Sequence, residues 1–217
     1  MRRVLATLLL LLLLARAQAS VAIRAGVEDL VDASSTAVLG VVLDHTTAMD
    51  GAAGTIWTRY RVRIERTLSG DARGEVTVRV RGGKVGTMEQ ETLGSARLAD
   101  GGRVVLFLSA EDAGAREVIG MAQGAFAVET DPATGAVTCR NSTDGLSNVD
   151  RAGREAAAEP LQLTLEDLAN RVKAALEQSE ARRRAAREAL DRKLAAWRRR
   201  AEIHAEILRG KPGGAPP

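Results

Sequence analysis

Side chains that commonly carry acid–base or metal chemistry are scarce in this chain of 217 residues, which holds two histidines and one cysteine. Asp44 and His45 are adjacent and Asp50 follows, a combination that could form a metal or an acid–base cluster. The other histidine, His204, is remote in the sequence. Polar residues at the end of a strand are the alternative interpretation, and we expect neither a metal site nor a catalytic site.

Two further features resemble functional motifs without their supporting residues. Cys139 lies in a predicted strand with no local nucleophile motif, so we expect a small core residue. Residues 82–87 resemble a phosphate-binding loop, but Val78 stands where the first glycine belongs and Val85 follows the lysine. We therefore expect no enzymatic activity and no cofactor.

Arginine recurs at alternate positions in two segments that alternate apolar and polar residues, 55–68 and 75–81. These residues are Arg59, Arg61, Arg63, Arg79 and Arg81. Side chains of a strand point alternately to the two faces of a sheet, so we expect the arginines to share one face. Two interpretations stay open: a solvated face partly paired with acidic residues, and a binding face for an anionic ligand.

The composition argues against a nucleic-acid partner. The formal net charge is +3, but three arginines precede residue 17, and residues 20–150 hold 18 acidic and 13 basic side chains. Aromatic residues, on which unpaired bases stack, make up only 2% of the chain. We expect a protein partner instead.

Residues 1–19 have the layout of a secretory signal peptide. Arg2 and Arg3 form its charged start, residues 4–14 are almost entirely apolar, and Ala17-Gln18-Ala19 fits the small-residue cleavage rule. The apolar run is shorter than the ~18 residues that a membrane-spanning helix needs. We expect cleavage after Ala19 and a periplasmic or secreted protein.

The remaining pattern predicts a mainly β domain over residues 20–150 and a long C-terminal helix. After a short helix at 26–33, strands are predicted at 37–43, 55–68, 75–81, 104–108, 117–121, 125–129 and 136–139. Glycines separate several of them, and residues 82–86 are predicted as a loop. Such spacing is typical of a closed or nearly closed antiparallel barrel, with a β-sandwich as the alternative.

A resemblance supports the barrel. It rests on residues 34–42 (SSTAVLGVV), 60–70 (YRVRIERTLSG), 101–108 (GGRVVLFL) and 118–126 (VIGMAQGAF). This pattern resembles secreted, largely uncharacterised bacterial proteins of myxobacterial type. It is also similar to the netrin-like module, an OB-type barrel found in tissue inhibitors of metalloproteinases. In those inhibitors an amino-terminal cysteine occupies the protease zinc, whereas the expected start here is Ser20, so the resemblance does not imply that chemistry.

Residues 164–210 have the pattern of a long amphipathic helix, after a linker at 151–163 and before a tail at 211–217. Thr164 and Asp167 are spaced as a capping box. At ~1.5 Å per residue the helix would be ~68 Å long, against a diameter of ~36 Å for the β domain. We expect its second half to project.

The projecting half carries an apolar seam, which we call the helix seam. Its residues are Leu190, Leu194, Trp197, Ala201 and Leu208. We expect this seam to pair with another helix, through a weak homodimer or with another protein, with Trp197 as the main anchor. Membrane attachment is not expected after signal cleavage, because the seam is narrow.

Two functions compete at this point. The first is a non-enzymatic extracytoplasmic binding module, a partner or regulator of another secreted protein such as a protease. The alternative is a structural, envelope-associated protein that acts through pairing of its C-terminal helix. A hydrolase is disfavoured because no pattern combines a nucleophile, a base and an orienting group.

Processing of the amino terminus is directly testable. We expect the secreted protein to begin at Ser20, because Ala17 and Ala19 satisfy the cleavage rule. Intact-mass spectrometry of protein exported by its native host checks this, and a mass that retains residues 1–19 would contradict it.

Overall fold

The computed structural model describes residues 20–50, 54–157 and 159–209, with the side chains of residues 202–209 outside the description. The predicted signal peptide and tail therefore lie outside the described residues. The chain divides into two compact units, one that ends at Ala175 and one that begins at Leu176. Each unit is described by itself.

The first unit is mostly β-structure. Its strands are β1 (Ser20–Ile23), β2 (Thr36–Asp50), β3 (Thr55–Ser69), β4 (Glu75–Arg81), β5 (Gly83–Val85), β6 (Met88–Gln90), β7 (Arg103–Leu108), β8 (Arg116–Glu117), β9 (Ala125–Thr130), β10 (Val137–Asn141), β11 (Leu146–Val149) and β12 (Gln162–Thr164). Its helices are α1 (Val27–Ala33), a 3₁₀ turn (Met121–Gly124) and the start of α2 (Leu165–Arg209).

Eight strands form one curled sheet, in the order β12-β10-β9-β7-β2-β3-β4-β8. All its pairings are antiparallel except that of β4 with β8. Strands β1 and β11 form a separate parallel pair, and β5 and β6 a small hairpin. The expectation of a mainly β domain with a long C-terminal helix is confirmed, and the eight-stranded sheet as a whole curls into a half-barrel.

Five strands of this sheet complete a hydrogen-bonded circuit. Strand β2 pairs with β3 and β7, β3 with β4, and β4 with β8. Directly after β8, Val118 bridges to Leu108 of β7, and the amide of Ile119 donates to the carbonyl of Phe107 at 2.9 Å. The circuit β2-β3-β4-β8-β7 therefore closes through this short bridge.

Apolar side chains fill the inside of the circuit. The cluster contains Val38, Val42, Val62, Val78, Val80, Val104, Leu106 and Leu108, with Ala72 and Ala96. Strand β7 is buried on both faces. Val104, Leu106 and Leu108 belong to this cluster, and Val105 and Phe107, on the opposite face of the strand, are also inaccessible to solvent. The ring of Phe107 lies 6.0 Å from that of Phe126 on the second face. This double burial explains why β7 reads as a continuous apolar run rather than an alternation.

The two predicted helix starts are both present. The amide of Gly26 donates to the carboxylate of Asp29 at 3.0 Å, and α1 buries Val27, Leu30 and Val31. At the start of α2, the amide of Asp167 donates to the Thr164 hydroxyl at 3.0 Å, and that hydroxyl donates to the Asp167 carboxylate at 2.7 Å. Each start satisfies main-chain donors that the first helical turn leaves unpaired.

Several predicted boundaries differ from the structure. Residues 83–85 form β5 of a hairpin rather than a loop, since Gly82 and Gly83 adopt φ values of 103° and 130° and turn the chain back. The strand predicted at 117–121 stops near Val118, because Gly120 and Met121 adopt left-handed φ values of 72° and 60°. Such a backbone cannot continue a strand. Part of the predicted linker forms β12, which pairs with β10.

Helix α2 runs unbroken to Arg209. In the first unit it buries Leu168, Val172 and Ala175. In the second unit Leu190, Leu194 and Trp197 are 55%, 44% and 69% exposed. The helix seam is therefore open to solvent at its three large described side chains.

Close packing of β2 against β3 gives a test of the fold. An added Cβ at Gly40 would lie 2.5 Å from the carbonyl oxygen of Arg63 and 2.9 Å from Cγ1 of Val62. Overpacking of this kind costs about 1–3 kcal/mol, so Gly40→Ala should lower the free energy of unfolding by about that amount in urea titrations.

The matched control is Gly26→Ala, where the added Cβ meets only the carboxylate ends of Glu28 and Asp29. We expect this change to cost less than about 1 kcal/mol. Equal losses of stability in the two variants would contradict the packing described for Gly40.

Candidate functional site

The register of β3 and β4 places the five predicted arginines on one face of the sheet. Arg59 lies directly opposite Arg79, and Trp57 lies opposite Arg81. Arg61 and Arg63 continue the same side of β3, because side chains two residues apart on a strand share a face. Strands β3 and β4 thus form a surface of alternating arginines with one aromatic ring.

Two guanidinium groups lie close to the Trp57 ring. The guanidinium carbon of Arg79 is 5.2 Å from the centre of the Trp57 ring, and that of Arg81 is 5.1 Å from it. Cations at this distance are attracted by the electron-rich face of the indole. The contacts fix the ring and hold the Arg81 side chain over it.

Two of the five arginines are neutralised by neighbouring carboxylates. Arg61 donates from Nε to Asp44 at 2.9 Å and lies 3.6 Å from Glu75. Arg79 reaches Glu117 at 2.7 Å and Asp112 at 2.8 Å.

These ion pairs shift pKa values in the directions that pairing requires. The hydrogen bond from Arg61 lowers the pKa of Asp44, and the hydrogen bond to Glu117 raises the pKa of Arg79. Two carboxylates on Arg79 also offset the repulsion that its cross-strand position opposite Arg59 would otherwise cause.

Arg59, Arg63 and Arg81 have a different environment. All three are exposed, and within the part of the chain that the structure describes none of them forms an ion pair. Arg59 and Arg81 are neighbours of the half-buried Trp57, whereas Arg63 lies farther along β3, opposite Glu75 of β4. We call Trp57, Arg59, Arg63 and Arg81 the Trp57 face.

The histidine predicted beside Asp44 has another partner. Nδ1 of His45 lies 2.9 Å from the carboxylate of Asp100, and its ring centre is 5.5 Å from that of Tyr60. Burial raises the pKa of Tyr60, which keeps its hydroxyl protonated and weakly nucleophilic. His45 and Asp100 thus form an exposed pair beside the Tyr60 ring, while Asp44 pairs with Arg61 instead.

Cys139 lies in β10 with no accessible surface. Burial raises the pKa of its thiol to about 11, so the reactive thiolate is scarce at neutral pH. Across residues 20–50, 54–157 and 159–209, no three histidine, cysteine or acidic side chains converge as a metal site would require.

A second concave region lies between the segment 91–99 and strands β9 and β10. It is a cleft of about 730 Å³ whose floor includes Ala96, Leu98 and Ala127. Among its charged lining residues, Arg97 contacts Glu91 at 2.5 Å and Arg103 contacts Glu65 at 2.7 Å, whereas Glu129, Arg140 and Asp144 form no ion pair in the described residues. The unpaired charges of the cleft are thus of both signs, whereas those of the Trp57 face are all positive.

Sequence reasoning located the five arginines but did not identify their acidic partners. Glu117 and Asp112 reach Arg79 from the short β8 and the turn before it, a contact that depends on the parallel pairing of β4 with β8. The second group of predicted site residues, the helix seam, lies in the second unit. The side chain of one of its members, Leu208, is outside the described residues.

Comparison of the chain with protein-family models, with curated proteins and with solved structures finds no match. In the described part of the chain, no helix combines the length and the apolar character needed to cross a bilayer.

Titration of Asp44 distinguishes an arginine that forms an ion pair from one that does not. Because Arg61 is the main cause of the low pKa of Asp44, Arg61→Gln should move that pKa back up toward its ordinary value. The pairing stabilises the fold at neutral pH, and this contribution is lost as the pH falls through the lowered pKa.

Carboxyl-carbon NMR titration of Asp44 makes the measurement. Arg63→Gln, which removes an exposed arginine without an ion pair in the described residues, should leave the pKa of Asp44 in place. An Asp44 titration that is the same in the native protein and in Arg61→Gln would show that the pair does not form in solution.

Proposed function

We propose that this protein is a non-enzymatic extracytoplasmic binding module and that the Trp57 face binds an extended acidic segment of a protein partner. The proposal rests on one observation, the difference in ion pairing among the arginines of one sheet face. Arg61 and Arg79 form ion pairs, whereas Arg59, Arg63 and Arg81 form none in the described residues, and Arg81 contacts the Trp57 ring. An anionic ligand gains most at arginines that lack a carboxylate.

The proposed barrel type is consistent with this location. The circuit β2-β3-β4-β8-β7 has the five strands expected of an OB-type barrel, which the netrin-like module resembles. OB-type barrels bind their ligands on the face of their second and third strands. In this circuit those strands are β3 and β4, which carry the Trp57 face.

The spacing of the arginines without an ion pair on β3 matches that of side chains in an extended peptide. Arg59 and Arg63 are four residues apart on β3, a separation of about 13 Å at ~3.3 Å per residue. Alternate side chains of an extended peptide recur about every 6.6 Å on one side. Acidic residues four positions apart on such a peptide could therefore reach Arg59 and Arg63, and the next side chain beyond Arg59 would lie over Trp57.

The surrounding acids select against densely charged ligands. Asp44, Glu75 and Glu117 lie among the arginines of the same sheet face. A nucleic acid would place a phosphate near each of them, and Trp57 is the sole aromatic side chain on the arginine face of β3 and β4 for base stacking, since Tyr60 is on the opposite face of β3. A sparsely acidic peptide avoids that repulsion, which favours a protein partner.

The role of the binding module is proposed from its expected export. A secreted protein that carries no assembled catalytic group in its described residues is suited to act as partner or regulator of another exported protein, such as a protease. The Trp57 face would then supply recognition rather than chemistry, and its contribution would depend on salt because the arginines are exposed.

Peptide titration tests the proposal. In a Trp197→Phe background, the fluorescence of Trp57 reports on binding of a blocked peptide that alternates Glu with Thr. We expect saturable binding that weakens with added salt. Arg59→Gln and Arg81→Gln should each weaken it by about two- to fivefold, as expected for exposed ion pairs of up to ~1 kcal/mol.

Two controls make the outcome decisive. Arg140→Gln removes an exposed arginine of β10, away from the Trp57 face, and should leave the affinity unchanged. A peptide that alternates Gln with Thr should not bind. Equal loss of affinity in Arg140→Gln and Arg59→Gln, or equal binding of the two peptides, would overturn the proposed site.

A further inference from the structure

The second unit carries an interaction surface that is independent of the Trp57 face. Leu190, Leu194 and Trp197 lie on one stripe of α2 and are 55%, 44% and 69% exposed. Their spacing of four and three residues continues to Ala201, which is the repeat by which two helices pair along a seam. We infer that this seam docks an acidic amphipathic helix of another protein.

Charge beside the seam points to an acidic partner. In the heptad that places Leu190 and Trp197 at d and Leu194 and Ala201 at a, positions e and g hold Asp191, Lys193, Arg198 and Arg200. All four are exposed. The three cations have no ion pair in the described residues. The pair Glu188–Arg192 joins positions b and f, and the pair Glu180–Arg184 lies farther upstream, at positions a and e.

Two arginines also lie in the stripe upstream of Leu190. The same spacing continued toward the amino terminus places Arg187 and Arg183 at core positions a and d. Both are exposed, and neither forms an ion pair in the part of the chain that the structure describes. A cation at a core position pairs well only with an opposing acidic or polar group.

Self-pairing is disfavoured by the same residues. In a parallel homodimer, Lys193 at g would face Arg198 at e of the second copy, and Arg187 would face Arg187. In an antiparallel homodimer, g faces g and e faces e, so Lys193 and Arg200 would again meet cations. A partner with Glu or Asp at its flanks converts each repulsion into attraction, while Leu190, Leu194 and Trp197 supply the buried contact.

A charge-reversed copy of the chain is the sharpest probe. It carries Arg183→Glu, Arg187→Glu, Lys193→Glu, Arg198→Glu and Arg200→Glu, and glutamate preserves helix propensity. We expect the native and the reversed chains to be monomeric when separate and to form a heterodimer when mixed. Sedimentation equilibrium should show the heterodimer to be at least about tenfold tighter than either homodimer.

Two control variants distinguish the contribution of the apolar helix seam to the heterodimer from those of the charges and of the Trp57 face. Trp197→Ala in both chains should weaken the heterodimer about tenfold, since a central aromatic anchor typically contributes more than 1 kcal/mol. Arg59→Gln, which weakens the proposed peptide site, should leave the heterodimer intact. Circular dichroism of each chain verifies that α2 remains helical.

Three results would overturn the inference. One is self-association of the native chain as tight as the mixture, which would identify a second copy as the occupant. Another is a mixture that stays monomeric although both helices are intact. The third is uptake of the native chain by phosphatidylglycerol vesicles, with a blue shift of Trp197, while the mixture does not associate.

Discussion

The register in which β3 pairs with β2 and β4 is the constraint on which the first unit depends. With this register, Val62 enters the barrel core and Arg59 and Arg61 point outward. A slip by one residue would reverse every side chain, burying arginines and exposing the valine. The register is held by apolar burial inside the circuit and by the close approach of Gly40 to β3. The proposed binding surface is thus a direct consequence of how the core is packed.

Differences in pairing, rather than the number of arginines, give the Trp57 face its proposed specificity. Arg79 is held by two carboxylates and contacts one side of Trp57, so it serves as a fixed support for the ring. Arg81 contacts the same ring without a carboxylate and remains free for a ligand. This arrangement orders the aromatic residue before binding, which reduces the entropy lost when a ligand docks. An exposed arginine face without such support would be only a solvated surface.

Local patterns explain which parts of this structure are predictable. Alternation over 55–68 and 75–81 defines β3, β4 and the shared arginine face, and Thr164 with Asp167 defines the start of α2. Long-range contacts are not encoded locally: the pairing of His45 with Asp100 and the support of Arg79 by Glu117 depend on strands that meet only in the fold. Short strands such as β8 and β12 carry too few residues to show a period, and their positions follow from their neighbours.

Side-chain NMR of the arginines during titration with the alternating Glu–Thr peptide tests the central claim most directly. We expect the Nε–Hε signals of Arg59, Arg63 and Arg81 and the indole signal of Trp57 to move together and saturate. The signal of Arg61, already bound to Asp44, should stay almost unchanged. Movement of the Arg61 signal as large as that of Arg59, or shifts confined to residues 91–99 of the cleft, would contradict binding at the Trp57 face.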